Sequence, residues 1–192
     1  MKELIKRIES RFTVLHHIEQ RPDLLFLSLE ANEIVEILTY LRDIENYQHL
    51  IMISAVDHLE HQVFQLTYLV HNYNKNIDIG IRTNIDRNNP VISSVHHLWP
   101  AAQVYQRELH ELYGIDFPGS PRQDDPMMLE GWDNIPPMRR DFDTKKYSEE
   151  TFFPREGRET YDPRKVMEEK SYPKESEIKY EIQKLSRDQR NK

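Results

Sequence analysis

Residues 61–82 read HQVFQLTYLVHNYNKNIDIGIR, and apolar and polar side chains alternate along most of this stretch. Alternation with a period of two is typical of a β-strand that has one face on a core. We therefore predict one strand over His61–Val70 and a second over Asn76–Arg82. The polar residues Asn72–Asn76 between them are predicted to form the loop of a β-hairpin.

The residues before this hairpin supply two further strands and two helices. Short apolar runs at Leu24–Leu29 and Leu50–Val56 indicate buried strands. Between them, the apolar residues of Asn32–Arg42 share one stripe of a helix. A short N-terminal helix is predicted over Lys2–Phe12, where three aliphatic residues recur at helical spacing.

A helix with clear end signals follows the hairpin. Pro100 suits the first turn, and Gly114 suits the left-handed cap after the last turn at Tyr113. After the short first helix, the predicted order is strand, helix, strand, strand, strand, helix. This order indicates an α+β fold over residues 1–118, a two-layer sandwich with a mixed sheet and helices on one face.

The composition of the chain narrows the function classes. It has 192 residues, a formal net charge of −7 at pH 7 and no cysteine. The missing thiols exclude disulfides, cysteine zinc sites and cysteine-bound iron–sulfur clusters. The acidic balance argues against nucleic acid as a partner. The N-terminus lacks the apolar core of a signal peptide, and no apolar run approaches the roughly 20 residues that span a bilayer, so we expect a protein in or facing the cytosol.

The C-terminal third has a different composition from the rest. Eight of the eleven prolines lie from Pro118 onward, and residues 143–192 hold 13 basic and 12 acidic side chains, a net charge of +1. We expect residues 119–142 to form an extended docking segment. Residues 143–192 have too few aliphatic side chains for a core, so we expect a long extended charged tail that wraps a partner, with a short helix after Ser176.

One polar cluster has the side chains of a metal site. Asp57, His58 and His61 offer a carboxylate and two imidazoles, which suit zinc or iron. No third strong ligand set accompanies them, and they fall at the end of a predicted strand. Solvated hairpin residues are therefore the alternative interpretation.

A second polar cluster falls near the end of the last predicted helix. Glu108, His110 and Glu111 could supply an acid–base pair. No nucleophile or glycine-rich phosphate loop accompanies them, so the alternative is a structural network with Arg107, which is four residues from Glu111.

An arginine pair lies in the proline-rich segment. Arg139 and Arg140 follow Pro136 and Pro137, which favour an extended backbone. Guanidinium groups bind carboxylates through two points, so the pair suits a carboxylate clamp on a partner. We expect this segment to lie outside the sheet and helices, with a solvated basic turn as the alternative.

Several segments together resemble one family. They are similar to the 30 kDa (C) subunit of respiratory complex I and to its relatives in membrane-bound nickel–iron hydrogenases, archaeal sulfane-reducing complexes and bacterial formate-hydrogenlyase complexes. The resemblance covers about residues 20–145, and its most specific part is YQRELHELYGIDF at residues 105–117. The other segments are DLLFLSLEANEIVE at 23–36, ISAVD at 53–57, FQLTYL at 64–69 and SVHHLWPAA at 94–102.

Departures from the family pattern favour one branch. Residues 106–108 read Gln-Arg-Glu where the family usually has Glu-Arg-Glu. Residues 127–133, MMLEGWD, resemble the hydrogenase-type form Leu-x-Leu-x-Asp-Trp, and residues 137–142, PMRRDF, resemble the closing Pro-Leu-Arg-Lys-Asp-Phe. We therefore favour the membrane-bound hydrogenase or sulfane reductase branch.

The resemblance implies a structural subunit without catalytic residues, cofactor or metal of its own. It implies docking on the hydrogenase-like large (49 kDa-type) subunit, beside iron–sulfur subunits that carry the clusters. The resemblance also implies a location in the peripheral arm of the complex, on the cytoplasmic face of the membrane. The chain would be attached to the membrane only indirectly, through the other subunits. The predicted docking residues are Arg107, Glu108, Glu111, Asp116, Phe117, Arg139, Arg140, Asp141 and Phe142.

Three other functions stay open at the level of the sequence. The first is the C subunit of an NADH- or other donor:quinone oxidoreductase. The second is a freestanding metal-dependent enzyme that uses Asp57, His58 and His61. The third is a soluble adaptor with a charged tail, which the residues alone do not separate from a member of a larger complex.

Overall fold

The structure, a computed structural model, describes residues 2–152. Two short 3-10 turns, Ala31–Glu33 and Leu59–His61, lie between its regular elements. The strands are β1 (His16–Arg21), β2 (Leu24–Ser28), β3 (His49–His58), β4 (Val63–Asn72) and β5 (Ile77–Asp86). The helices are α1 (Lys2–Glu9), α2 (Ile34–Asp43), α3 (Ala102–Tyr113) and α4 (Thr144–Thr151).

All five strands belong to one mixed sheet, in the order β1-β2-β5-β4-β3. Strand β2 pairs with β5 in parallel, and the other neighbouring pairs are antiparallel. A parallel pair needs a crossover, and α2 lies in the chain between β2 and the strands that follow. The predicted α+β class with a mixed sheet is confirmed.

The predicted hairpin is the centre of the sheet. Phe64, Leu66, Tyr68 and Val70 alternate along β4 and are fully buried, as the period of two predicts. The side chain of Asn72 closes the turn, because its Oδ1 accepts the N–H groups two and three residues later, at 2.9 and 3.0 Å.

Two side chains tie α3 and the loop before it to the edge strand β3 and to the residue that precedes this strand. Tyr105 on α3 donates from Oη to the carbonyl of Ile51 at 2.7 Å, and Trp99 donates from Nε1 to the carbonyl of Gln48 at 3.0 Å. Helix α3 ends as predicted, since Gly114 has φ +73° and its N–H donates to the carbonyl of His110 at 2.8 Å.

Strand β1 is not predicted from the sequence. All six of its residues, HHIEQR, are exposed, so neither an apolar run nor an alternation marks it. Its pairing with β2 is what makes it a strand. Helix α1 is also shorter than predicted and ends at Glu9, with Leu4, Ile5 and Ile8 buried.

The chain divides into two compact units, residues 1–144 and 145–192. In the second unit, Lys145 and Lys146 lie 3.9 Å from Glu149 and Glu150, an i,i+4 spacing that supports a helix. Residues 144–151 are thus helical, whereas the sequence predicts an extended tail from residue 143. The rest of that tail, with the helix predicted after Ser176, lies outside the described residues.

Candidate functional site

The proline-rich segment with the arginine pair packs against the C-terminal end of α3. Met138 donates its N–H to the carbonyl of Leu112 at 3.0 Å, and Arg139 donates from Nε to the carbonyl of Tyr113 at 2.8 Å. These are two of the last carbonyls of the helix, which have no partner within the helix itself. The segment lies outside the sheet and helices, as predicted, but it is hydrogen-bonded to the end of α3 and is not a solvated turn.

The guanidinium of Arg139 also contacts the core. Its Cζ lies 5.3 Å from the ring centroid of Phe64, which is fully buried and packs edge-on against Tyr113 at 5.9 Å. A guanidinium within about 6 Å of an aromatic face is attracted by the ring quadrupole. Arg139 thus links α3, strand β4 and the segment that carries it.

Replacement of Arg139 by alanine is expected to lower the free energy of unfolding by about 1–3 kcal/mol, because a charge-assisted hydrogen bond and a ring contact are lost. Chemical denaturation of the full chain measures this. Arg140→Ala is the matched control, since its guanidinium is half exposed and its ion pair among residues 2–152 is with the exposed Glu60. Equal stability of the Arg139→Ala and Arg140→Ala variants would contradict the capping role.

A buried ion cluster fixes the next residues of the segment. Arg87, directly after β5, donates from Nε and Nη2 to the two oxygens of Asp57 at 2.8 and 3.1 Å. Its Nη2 also donates to Oδ1 of Asp141 at 2.6 Å. The side chains of Arg87 and Asp57 are 7% and 2% exposed, so this is a two-point ion pair inside the domain. We name these three residues the Asp57–Arg87–Asp141 cluster.

Arg140 joins this cluster through its backbone and points its side chain outward. Its N–H donates to Oδ2 of Asp57 at 2.9 Å, while its Nη1 lies 2.7 Å from both oxygens of Glu60. Burial acts to raise the pKa of Asp57, but the hydrogen bonds from Arg87 and Arg140 outweigh burial and lower it. The pKa of Asp141 is lowered mainly by Arg87. The carboxylates of the cluster are therefore held in the charged form.

The same contacts bear on the metal-site interpretation of Asp57, His58 and His61. Both oxygens of Asp57 accept hydrogen bonds from Arg87 or Arg140, and the two imidazole rings lie 6.4 Å apart. Among residues 2–152, no group of three or more His, Cys, Asp or Glu side chains is placed to hold a metal ion. The structure thus gives Asp57 a structural role in an ion pair.

Glu111 holds the part of the segment that precedes the prolines. Its carboxylate accepts the backbone N–H groups of Met127, Met128 and Leu129 at 2.8–3.0 Å. Burial acts to raise the pKa of Glu111, but these three donors outweigh it and lower the pKa. No ion pair within residues 2–152 joins Glu111 to Arg107, so the spacing of four residues is not used in that way.

Acidification is expected to weaken this attachment. In the folded protein the pKa of Glu111 lies below its ordinary value of 4.5. The ionised carboxylate therefore makes its full contribution to folding stability at pH values above 4.5. The contribution is lost as the pH falls through the folded pKa, because the unfolded chain then binds more protons. We expect Glu111→Gln to reduce stability at neutral pH and to flatten its decline in acid.

Urea unfolding from neutral pH down to about pH 3 measures this dependence. Glu130→Gln is the matched control, because Glu130 is exposed in the same segment. A Glu111→Gln variant whose stability still declines in acid as steeply as that of the native chain would contradict the role of the carboxylate.

The remaining predicted docking residues differ in exposure. Arg107 and Glu108 are partly buried on α3, and the Nε of Arg107 is buried without a hydrogen-bond partner in the described chain. Asp116 pairs its backbone with Pro90 and Ile92 and accepts a side-chain hydrogen bond from Gln123.

The two predicted aromatic contacts are engaged within the domain. Phe117 is fully buried, so its side chain belongs to the core of this chain rather than to an exposed surface. Phe142 packs edge-on against Trp132, with ring centroids 5.5 Å apart.

Sequence reasoning misses Arg87 as a member of the site. It falls in the polar stretch Asp86–Pro90, whose residues alone indicate a loop and no binding or catalytic role. The pairing of the strands is the feature that could have located Arg87. Asp57 pairs with Phe64, and Phe64 pairs with Ile85. Residue 87 therefore lies at the same end of the sheet as Asp57. The two residues are separated by 30 positions in the chain, so no local pattern reveals them.

Residues 127–138 expose large apolar side chains among polar ones such as Glu130 and Asp133. Four large apolar side chains there are 37–59% exposed, although the backbone is attached at Glu111, Leu112 and Tyr113. We call these four the 127–138 apolar patch, and they are Met127, Met128, Ile135 and Met138. A patch of this kind on an anchored segment suits contact with a protein.

Comparisons with known proteins agree on one family. The model described as "Respiratory-chain NADH dehydrogenase, 30 Kd subunit" matches residues 27–148. The C subunit of NADH-quinone oxidoreductase from Moorella thermoacetica is 29% identical over 121 residues, which are 63% of this chain and 81% of that protein. The C subunit of F(420)H(2) dehydrogenase from Methanosarcina mazei is 28% identical over 121 residues, 60% of this chain and 73% of that protein.

Two solved structures share the fold. A chain of the archaeal membrane-bound sulfane sulfur reductase superposes with a TM-score of 0.74 at 23% identity, over 84% of this chain and 96% of that one. The trypsin-resistant fragment of Nqo5 gives a TM-score of 0.54 at 18% identity, over 62% of this chain and 96% of the fragment. The family match spans α2, the hairpin, α3 and the attached segment, and the chain belongs to the family of the 30 kDa subunit of respiratory-chain NADH dehydrogenase.

Proposed function

We propose that this chain is a non-catalytic structural subunit of a membrane-bound respiratory oxidoreductase complex. The observation that carries the proposal is the segment of residues 127–142, which lies inside the family match. It is anchored on its own domain by Glu111, Arg87 and Asp57, while its apolar side chains remain exposed. A segment ordered before binding loses less entropy when it docks.

The partner we propose for this segment is the hydrogenase-like large subunit of the complex. The 127–138 apolar patch supplies contact area, and Arg140 and Asp141, 53% and 43% exposed, supply charge at its edge. Exposed apolar side chains beside arginine are the residue types that dominate protein interfaces. Arg107 and Glu108 remain candidates for the same contact from α3.

The role of the chain in electron transfer is to set distances. It would hold the large subunit and the iron–sulfur subunits in register, and the clusters are expected in those partners because this chain has no cysteine. The buried ion cluster and the capped end of α3 fasten the docking segment to its own domain. A fixed attachment of this kind is what holding two subunits at set distances requires.

Two complex types are candidates. The membrane-bound hydrogenase or sulfane reductase type is favoured by residues 127–133, MMLEGWD, which resemble the hydrogenase-type form Leu-x-Leu-x-Asp-Trp, and a chain of the sulfane sulfur reductase shares the fold. A donor:quinone oxidoreductase is favoured by the names of several relatives, which are C subunits of NADH-quinone oxidoreductases.

Attachment to the membrane is proposed to be indirect. Among residues 2–152, no helix has the length and apolar character that crossing a bilayer requires. We propose that the chain lies in the peripheral arm on the cytoplasmic face and reaches the membrane through the other subunits.

Co-purification tests the proposal. A tag on this chain, followed by mild detergent extraction of the native membranes, is expected to recover a hydrogenase-like large subunit and iron–sulfur subunits in equal amounts. Assays of that complex for sulfane sulfur reduction and for quinone reduction separate the two types. Recovery of the chain alone, with one tightly bound metal ion per chain, would support the freestanding enzyme instead.

A further inference from the structure

The face of the sheet opposite the helices has an apolar row across all five strands. Directly paired residues share a face, and the pairs run from β1 to β3 through β2, β5 and β4. Neighbouring strands are about 4.8 Å apart, so the row is roughly 19 Å long. We call it the outer row, and it consists of Ile18, Phe26, Gly80, Leu69 and Met52.

Arg82 lies over this row on the central strand β5. Its Cζ is 3.8 Å from the ring centroid of Phe26, which is a close stacking distance. Gly80 permits this arrangement, because an ideal Cβ at that position would overlap the Phe26 ring. A glycine, an aromatic ring and a guanidinium are thus stacked across two neighbouring strands.

The charge of Arg82 is not matched within the described domain. No ion pair among residues 2–152 includes it, and its Nε is buried there without a hydrogen-bond partner. Its paired neighbours, Ser28 on β2 and Thr67 on β4, are neutral. Glu30 lines the same shallow depression but makes no ion pair with Arg82 in this part of the chain.

The acidic side chains that β5 places on this face have other contacts. Asp78 pairs with His71 at 2.6 Å, and Asp86 accepts the N–H of Asn88 at 2.9 Å. Residues 1–142 carry 13 basic and 21 acidic side chains, a net charge of −8, yet no carboxylate among residues 2–152 pairs with Arg82, whose guanidinium is stacked on Phe26. A carboxylate from another molecule would give the Arg82 guanidinium an ion-pair partner.

We propose that this face is a second docking surface, which binds a segment of another subunit of the same complex. The segment presents a carboxylate to Arg82 and apolar side chains to the outer row. A row of roughly 19 Å is too long for a small carboxylate and fits a helix or strand of a protein. The inference rests on the proposed function, to which it adds a second partner contact.

Photo-cross-linking in the purified complex tests the surface. A photoreactive phenylalanine at Met52, which is 39% exposed, is expected to cross-link to another subunit within a segment that contains Asp or Glu. The same group at Ile44, 65% exposed after α2, is the control and should not reach that segment. A cross-link at Met52 only within this chain or to a second copy of it, or none at all, would overturn the inference.

Charge reversal provides the second measurement. Arg82→Glu is expected to reduce retention of the cross-linked subunit by tenfold or more, and an acidic-to-Arg change at the cross-linked carboxylate should restore it. Arg11→Glu makes the same charge change at an exposed site beside Tyr40 of α2, away from this face of the sheet, and should retain the subunit. Full retention with Arg82→Glu would overturn the inference and leave the proposed function intact, whereas a native chain that recovers no subunits would remove the proposed function itself. If Arg82→Glu fails to fold, the cross-link at Met52 decides alone.

Discussion

Replacement of Arg87 by methionine is expected to lower the free energy of unfolding by about 3–5 kcal/mol, because it leaves the buried carboxylate of Asp57 without its charged partner. The Asp57 side chain is 2% exposed, so water cannot replace the lost guanidinium. Among residues 2–152, the N–H of Arg140 is the one hydrogen-bond donor that remains for this carboxylate. Methionine keeps most of the apolar part of the side chain, so the measured loss of stability is due mainly to the missing guanidinium charge. Chemical denaturation of the full chain measures it.

A double variant separates the ion pair from packing. With Asp57→Asn added to Arg87→Met, both buried charges are gone, and we expect much of the lost stability to return. Arg140→Met is the control for an arginine of the same region, and a far smaller loss is expected because its pair with Glu60 is exposed. If the double variant were no more stable than Arg87→Met, the buried charge would not be the cause.

The cluster also explains how the docking segment is held. Arg87 binds Asp57 of β3 and Asp141 of the segment at the same time, so one guanidinium joins the sheet to residue 141. Loss of Arg87 should therefore free the end of the segment as well as destabilise the core. Limited proteolysis near Asp141 in the Arg87→Met variant reports this directly.

Local patterns in the sequence predict most of the sheet. The alternation in β4 and β5 and the Gly114 cap of α3 depend on neighbouring residues, and each is confirmed. Strand β1 cannot be found in this way, because its six residues are all exposed. Its pairing partner, rather than its own side chains, determines its conformation.

The candidate site is harder to predict than the fold. Arg140 and Asp57 are 83 positions apart, and the contact depends on where the chain passes after α3. In the sequence the arginine pair reads as two equivalent groups, but Arg139 points into its own domain while Arg140 points outward. Residue type alone does not distinguish these directions. The resemblance to the family does find the segment, because the motif carries information from related sequences that spacing lacks.

The 127–138 apolar patch is expected to dominate binding to the large subunit. A triple change of Met128, Ile135 and Met138 to serine should weaken that binding by on the order of a hundredfold, because each side chain loses about 1 kcal/mol of apolar burial and every 1.4 kcal/mol is tenfold. The three side chains are 42–59% exposed in the domain alone. About half of each side chain is already buried in the domain, so by the same arithmetic the stability of the free chain should also fall, by at most about 3 kcal/mol.

Titration of the purified large subunit against the native chain and the variant gives the affinities, and thermal unfolding of each free chain gives the stabilities. The matched control changes Leu15, Ile44 and Tyr73 to serine, which are 58–69% exposed and lie far from residues 127–138 in the chain. The control removes as much exposed apolar surface, so it tests whether the position of that surface matters rather than its amount.

Equal loss of binding in both triple variants would mean that exposed apolar surface promotes binding wherever it lies on the chain. Unchanged binding in the patch variant would place the docking contact elsewhere, with Arg107 and Glu108 on α3 the next residues to test, because they share the helix whose end holds the segment.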